Sequence, residues 1–281
     1  MIKQFGRIGI SLSVLFLAAC GGNEQAESTT ETVSDSTVIE SSSDNMQLGE
    51  AIEKDGLKFY EANIAKDFPN AKLSLSAPTK ATKLKAGEVQ FNFLVADYEL
   101  AVQTEDAEMR HCANSQEGQH IHYILNNSPY LAKYEPSFKA ELSEGNNVVL
   151  AFLSRSYHES IKNSTAFTLT NFPIGNVAGD FDETAPHLFY SRPKGEYKGK
   201  DTDKVLLDFY LVNTTLSENG NKVKVTINET EFIVDKWAPY FVEGLPEGEN
   251  SFRIVLIDSE GNAVPGPFND SGVRTVVMVK S

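Results

Sequence analysis

Residues 89–95 read VQFNFLV, and residues 205–211, which lie 116 positions later, read VLLDFYL. Apolar residues alternate in both stretches, and such alternation places every second side chain on one face of a half-buried β-strand. A second pair of stretches stands 115 positions apart: LSLSAP at 73–78 and LFYSRP at 188–193. The chain therefore contains an internal duplication of strand-forming sequence.

Further short runs alternate in the same way and are divided by Gly, Pro and Asn. The runs with strand character in the first copy are 72–76, 89–96, 120–126, 148–154 and 167–172. Short strands at this spacing are typical of antiparallel sandwiches. We therefore expect an all-β chain with two tandem immunoglobulin-like β-sandwich domains, one for each copy. Only the segment 51–65 could be helical.

The predicted organisation has four parts: a lipoprotein signal peptide at 1–19, a lipidated Cys with a disordered Ser/Thr/Glu stalk at 20–49, a first sandwich at 50–178 and a second at 179–281. The first copy also contains an insert at 101–117. Corresponding residues stand 116 apart up to Leu100 but 102 apart from Gly118 onward, so the first copy has fourteen additional residues. Such insertions are often functional loops.

The N-terminus has the parts of a secretory signal: two basic residues, an apolar run at 8–17 and two alanines before Cys20. The run is too short for a permanent membrane helix. The sequence LAAC resembles the lipobox of bacterial lipoproteins. This resemblance implies that the Cys20 thiol is acylated, with palmitate among the attached chains, and that the lipid anchors the chain to a membrane. Because Gly21 follows and not Asp, the resemblance implies the outer membrane of the cell envelope, facing the periplasm or the outside.

Acidic residues outnumber basic ones, 39 to 25, and the formal net charge is −14. Removal of the signal peptide takes two more basic residues and gives −16. A field of this sign repels nucleic acid and anionic lipid surfaces. The expected partners are therefore the membrane, through the lipid, and an envelope protein or peptide, but no nucleic acid. Besides Cys20 the chain has only Cys112, so no internal disulfide can form.

Two histidines, His120 and His122, stand two positions apart on a predicted strand and so project from one face. Their counterparts in the second copy are Lys222 and Lys224, whereas the residues between and after them are apolar in both copies. We therefore place the two histidines on the face opposite the core.

A metal site is one hypothesis for this face. Paired imidazoles suit zinc or copper, and further candidate ligands are His158, His111 and Cys112. The aligned position of His158 in the second copy is Gly261. His-x-His binds a metal only if a third ligand converges on it.

An anion site is the preferred hypothesis, with the metal site as the alternative, and it gives a non-catalytic, lipid-anchored binding protein for an anionic peptide or protein. Arg155 offers a planar fork for phosphate or carboxylate, and Ser156 and His158 supply further donors beside His120 and His122. The apolar residues Ile124, Leu150 and Phe152 also lie on this outer face, and they would line a ligand groove or pack against the other domain.

Catalytic motifs do not support an enzyme. The chain has no Gly-x-Ser-x-Gly, His-Glu-x-x-His or Cys-x-x-Cys sequence. His111 and Cys112 are adjacent, and adjacent residues are rarely aligned for proton transfer. The locally basic segment 192–200 is expected to be a solvated hairpin loop.

Three runs resemble a known family: GQHIH at 118–122, AFLSRSYHES at 151–160 and YSRPKGEY at 190–197. They are similar to bacterial envelope lipoproteins without an established activity, some of which carry the label phosphopeptide-binding. The resemblance covers the chain from about Asp67 onward and implies the anion hypothesis, with Arg155 and His158 as the first residues to test. His-x-His also resembles cupredoxin-like domains, but the Cys and Met ligands of a blue-copper site do not follow in the expected order.

Overall fold

The computed structural model describes residues 50–62, 67–177 and 181–280, which belong to one unit that comprises Asn45–Ser281. The expectations for the signal peptide at 1–19, for Cys20 and for the stalk to residue 49 lie outside the described residues. Within the described ranges, no helix is long and apolar enough to cross a bilayer.

Strands dominate the described chain. In chain order they are β1 (Ile52–Lys54), β2 (Leu57–Glu61), β3 (Lys72–Ala77), β4 (Gly87–Ala96), β5 (His120–Leu125), β6 (Leu131–Lys133), β7 (Ser137–Leu142), β8 (Val148–Ser154), β9 (Phe167–Asn171), β10 (His187–Arg192), β11 (Gly195–Lys198), β12 (Val205–Val212), β13 (Lys222–Ile227), β14 (Thr230–Val234), β15 (Tyr240–Glu243), β16 (Gly248–Ile257) and β17 (Arg274–Val279). A short helix α1 (Ala107–Arg110) lies between β4 and β5, and a 3-10 helix (Gly199–Thr202) lies between β11 and β12.

The first sandwich packs the sheet β3-β4-β7 against the sheet β6-β5-β8-β9. The second sandwich repeats this arrangement: β10-β12-β15 faces β14-β13-β16-β17. Both copies also break register at the same place, between Leu75 and Ala77 in β3 and between Tyr190 and Arg192 in β10. The predicted all-β architecture of two tandem immunoglobulin-like sandwiches is confirmed.

The N-terminal strands differ from the expectation. The segment 51–65, which could have been helical by its sequence, was assigned to the first sandwich at 50–178. Instead, β2 pairs antiparallel with β15 and so extends a sheet of the second sandwich. Leu57 and Phe59 are buried in the core of that sandwich, where Phe59 stacks on Phe232 with ring centroids 4.6 Å apart. The alternation of these two residues therefore places them in the core of the second sandwich, whose strands are far from β2 in sequence.

The two sandwiches meet along an apolar interface. Ile124, Leu150 and Phe152, which alternation places on the outer face, are fully buried there. Phe152 stacks on Tyr210 of β12 with ring centroids 4.5 Å apart. Of the two expectations for this face, domain packing is the one that the structure shows. A buried ion pair between Lys162 and Asp208 joins the same two domains.

The insert at 101–117 packs across both sandwiches. Its helix α1 carries Ala107, and Ala107 and Cys112 contact a buried cluster with Leu206 and Phe241 of the second sandwich. Asp106 forms a buried ion pair with Arg110, 2.5 Å apart. The insert is therefore a well-packed bridge between the domains.

Candidate metal centre

Three imidazole rings meet beside the interface of the two sandwiches. The Nε2 atom of His120 lies 2.9 Å from Nε2 of His122 and 3.1 Å from Nδ1 of His158. One ligand atom of each ring lies within 4.8 Å of the others. We call His120, His122 and His158 the histidine cluster. Three of the residues proposed from sequence as metal ligands therefore converge on one point.

Strand β5 positions the first two rings. Its residues alternate between two faces: Ile121 and Tyr123 enter the core of the first sandwich, and His120 and His122 point the other way. The histidines therefore lie outside that core, as expected, yet both are fully buried, because aromatic rings of the first sandwich and Ser191 of the second lie against them. Ser191 of β10 reaches His122, with its hydroxyl oxygen 3.1 Å from Nδ1.

A tight turn after β8 positions the third ring. The amide of Arg155 donates to the carbonyl of Glu159, and the amide of His158 donates to the carbonyl of Arg155, both at 2.9 Å. This turn holds His158 at φ +69°, in the left-handed region. The same turn in the second sandwich has Gly261 at φ +87°. Left-handed backbone favours glycine, so a histidine here costs about 1 kcal/mol.

Hydrogen bonds around the cluster orient its nitrogens. Nδ1 of His120 lies 2.8 Å from the carbonyl oxygen of Gly118, which only accepts, so this nitrogen donates and Nε2 of the neutral ring has a lone pair. Ring nitrogens of both His122 and His158 lie within 3.1 Å of that single lone pair. Only one of them can donate to it. A metal ion would satisfy all three nitrogens together, and a partner on the far ring nitrogen is typical of histidine ligands.

The spacing of the nitrogens suits a small cation. Ligand nitrogens about 2.0 to 2.1 Å from a tetrahedral zinc ion are separated from each other by about 3.4 Å. The two short contacts of the cluster, 2.9 and 3.1 Å, would lengthen by a few tenths of an ångström, and the third separation, which is at most 4.8 Å, would shorten as the side chains turn toward the ion. The residues present therefore fit such an ion.

Burial keeps the imidazoles neutral. Desolvation lowers the pKa of His120 from 6.5 to about 4, and it lowers the pKa values of His122 and His158 well below 6.5. The neighbouring cations Arg192 and Lys194 lower all three further. Neutral imidazole is the form that binds a metal ion.

Comparisons with known proteins name no family. No family model matches this chain, and no curated protein matches it. Solved structures similar to it include fibronectin(III)-like modules of Clostridium thermocellum CbhA, with 11% identity over 74% of this chain and 94% of that chain and a TM-score of 0.25. The two tandem V-type regions of VCBP3, a v-region-containing chitin binding protein, share 8% identity over 74% of this chain and 99% of that chain, with a TM-score of 0.22. These scores are low, so the fold assignment rests on the strand pairing described above.

The residues proposed for an anion lie differently from the expectation. Arg155 forms an ion pair with Glu159 at 2.8 Å, and both side chains are at most 2% exposed. The hydroxyl of Ser156 accepts a hydrogen bond from the amide of Thr104 and is also buried. Neither group is accessible to an external ligand, so the geometry does not support an anion site at Arg155 and Ser156.

The insert does not supply the expected metal ligands. His111 is exposed, and Cys112 is packed against Leu206 and Phe241 at the domain interface. Burial raises the pKa of the Cys112 thiol to about 12, which disfavours the thiolate that a metal needs. In the described part of the chain, the histidine cluster includes neither of them.

Sequence reasoning missed the residues that surround the cluster. Tyr130 stacks on His122, with ring centroids 3.6 Å apart and planes within 7°, and its hydroxyl lies 3.2 Å from Nδ1 of His158. Lys194 lies 3.8 Å above the Tyr130 ring. The segment 192–200 is therefore only partly the solvated loop that was expected, since Arg192 is buried.

Proposed function

We propose that this chain is a metal-binding protein that holds one copper or zinc ion with His120, His122 and His158. The convergence of three imidazole nitrogens within 4.8 Å carries the proposal. All three donors are neutral nitrogens, which suit copper and zinc better than magnesium or calcium.

Two further observations support a metal over a purely hydrogen-bonded cluster. The lone pair on Nε2 of His120 has two ring nitrogens close to it and can accept from only one. The backbone of His158 is left-handed where the second sandwich has glycine. Without an ion, Nδ1 of His158 has the Tyr130 hydroxyl as its donor, and its lone pair then faces that of Nε2 of His120 at 3.1 Å. An ion bound by all three rings removes this unfavourable contact.

We infer that the role of this ion is not catalytic. A catalytic zinc keeps an open position for water and substrate. Here His120 and His122 are fully buried, and the rings of Tyr130 and Phe152 lie against His122. His158 is partly exposed and gives the site its route to solvent. Such a site suits the retention or delivery of a metal ion more than turnover of a substrate.

The lipobox at Cys20 supports a location for this function. We propose that the chain is acylated at Cys20 and held at the membrane of the cell envelope, with the two sandwiches projecting on an acidic stalk. This proposal rests on the sequence LAAC and the residues before it.

Metal analysis of protein purified without a metal-affinity tag tests the function. We expect about one equivalent of copper or zinc in the wild type and strong loss in the double variant His120→Asn/His122→Asn. His111→Asn is the matched control, because His111 is exposed and its left-handed backbone tolerates Asn. A wild type that stays metal-free in the presence of both ions would contradict the proposal.

A further inference from the structure

Three cations of the second sandwich, two of which lie beside the histidine cluster, have aromatic rings and not carboxylates as neighbours. Arg192 lies over the rings of Tyr130 and Tyr197, at 5.7 and 5.6 Å from their centroids. Lys194 lies over Tyr130, and Arg274 lies 5.6 Å from the centroid of Tyr190. Within the described ranges, none of the three forms an ion pair. In a chain of net charge −14 this is an unusual local excess of positive charge.

Hydrogen bonds to the backbone fix two of these cations in place. The ammonium of Lys194 donates to the carbonyl of Tyr130 at 2.7 Å, and the guanidinium of Arg274 donates to the carbonyl of Asn127 at 2.5 Å. Each bond uses one N–H, so further N–H groups remain for a ligand. Nε of Arg274 is buried and has no hydrogen-bond partner. The two groups are therefore preorganised donors with unused capacity.

A pocket of about 400 Å³ lies between these two cations. Its lining consists of polar and apolar residues of both sandwiches: Asn127, Pro129, Tyr190, Ser191, Pro193, Lys194, Gly195, Val273, Arg274 and Thr275. The lining contains no carboxylate, whereas four other pockets of the described chain each contain at least one. The volume is within the range of small-molecule sites.

We propose that this pocket binds a small organic carboxylate. The carboxylate would lie between Lys194 and Arg274, whose guanidinium can form two parallel hydrogen bonds to it. The apolar part of the ligand would contact Pro129, Pro193 and the exposed side chain of Val273. These apolar walls favour an organic acid over an inorganic anion, which has no apolar part to bury.

Binding of benzoate, measured by calorimetry, tests the pocket, with benzyl alcohol and inorganic phosphate as the comparison probes. We expect benzoate to bind and benzyl alcohol not to bind. Lys194→Ala and Arg274→Gln should each weaken benzoate about tenfold, the effect of losing one charge-assisted hydrogen bond. Lys83→Ala is the matched control, since Lys83 is an exposed lysine away from the pocket. Thermal melts of each variant establish that it is folded.

Two further arms distinguish other sources of a signal. Excess EDTA should leave benzoate affinity unchanged, and loss of binding with EDTA would mean that the carboxylate binds a metal ion and not the pocket. Phosphate that binds as tightly as benzoate would overturn the assignment to an organic acid. Equal benzoate affinity in wild type, Lys194→Ala and Arg274→Gln would overturn the proposal, as would no binding of benzoate to the wild type.

Discussion

Replacement of His158 by glycine separates the metal function of this residue from its structural role. The backbone there has φ +69°, and the second sandwich has glycine at φ +87° in the same turn. We expect His158→Gly to relieve a left-handed strain of about 1 kcal/mol, offset by a glycine entropy cost of about 0.5 to 1 kcal/mol. Loss of the imidazole also removes a hydrogen bond with Tyr130 and the ring contact with His120, which together cost about 1 to 2 kcal/mol. Without metal, the free energy of unfolding should therefore fall by about 1 to 2 kcal/mol, or roughly 2 to 8 °C in Tm.

With metal, the two proteins should differ strongly. An ion at one hundred times its Kd stabilises the wild type by about 2.7 kcal/mol, which raises Tm by roughly 5 to 10 °C. His158→Gly removes one of three ligands and should lower affinity by more than the roughly 10- to 100-fold typical of losing a residue that only orients a ligand. Differential scanning calorimetry with and without copper or zinc measures both effects. If the variant keeps the full metal-induced rise in Tm, His158 is not a ligand and the cluster has been misread.

Three other outcomes follow from the structure. Acidification from pH 7 to 5 should destabilise the metal-free protein by about 2 kcal/mol through His120 alone, because the pKa of His120 is 6.5 in the unfolded chain and about 4 in the folded protein, so that the unfolded chain binds the proton first. Urea unfolding of the wild type and of His120→Asn at both pH values measures this loss of stability, and an equal pH dependence of the two proteins would contradict the prediction. Iodoacetamide should not label Cys112 in the native protein at pH 8, since the thiol is 8% exposed with a pKa near 12, and native labelling would disprove that burial. Cys20→Ser should abolish palmitate labelling and membrane attachment, and a variant that is still labelled would remove the lipobox assignment.

The local sequence pattern was sufficient to predict where most strands lie in the chain, but it did not predict which sheet each strand joins. Alternation predicted β3, β4, β5, β8 and β9 to within about two residues at each end, because the period of two reports directly which side chains enter a core. The same alternation in β2 does not say which core it serves. The partner of β2 is β15, about 180 residues later, and that pairing depends on how the two sandwiches pack.

The candidate site was half predictable for a similar reason. His120 and His122 were found because spacing on a strand fixes their common face. The accessibility of Arg155 was misjudged, although Glu159 stands four residues later and pairs with it in the buried turn. Ser191 and Lys194 come from the second sandwich, so no local pattern connects them with the histidines.

The same packing makes lysine an unsuitable replacement for His120 and His122. Lys222 and Lys224 are partly exposed, whereas two lysines at the histidine positions would be buried beside Arg192.

The duplication itself supports the assignment of the cluster. The two sandwiches share strand order, the register break in their first strands and the turn that ends β8 or β16. On this common scaffold, all three positions of the cluster differ between the copies: histidine replaces lysine twice on the strand and glycine once in the turn. Each replacement is unfavourable for folding alone, since two imidazoles are desolvated and one backbone is left-handed. Three such changes that meet at one largely buried point are accounted for by one ligand that binds all three rings.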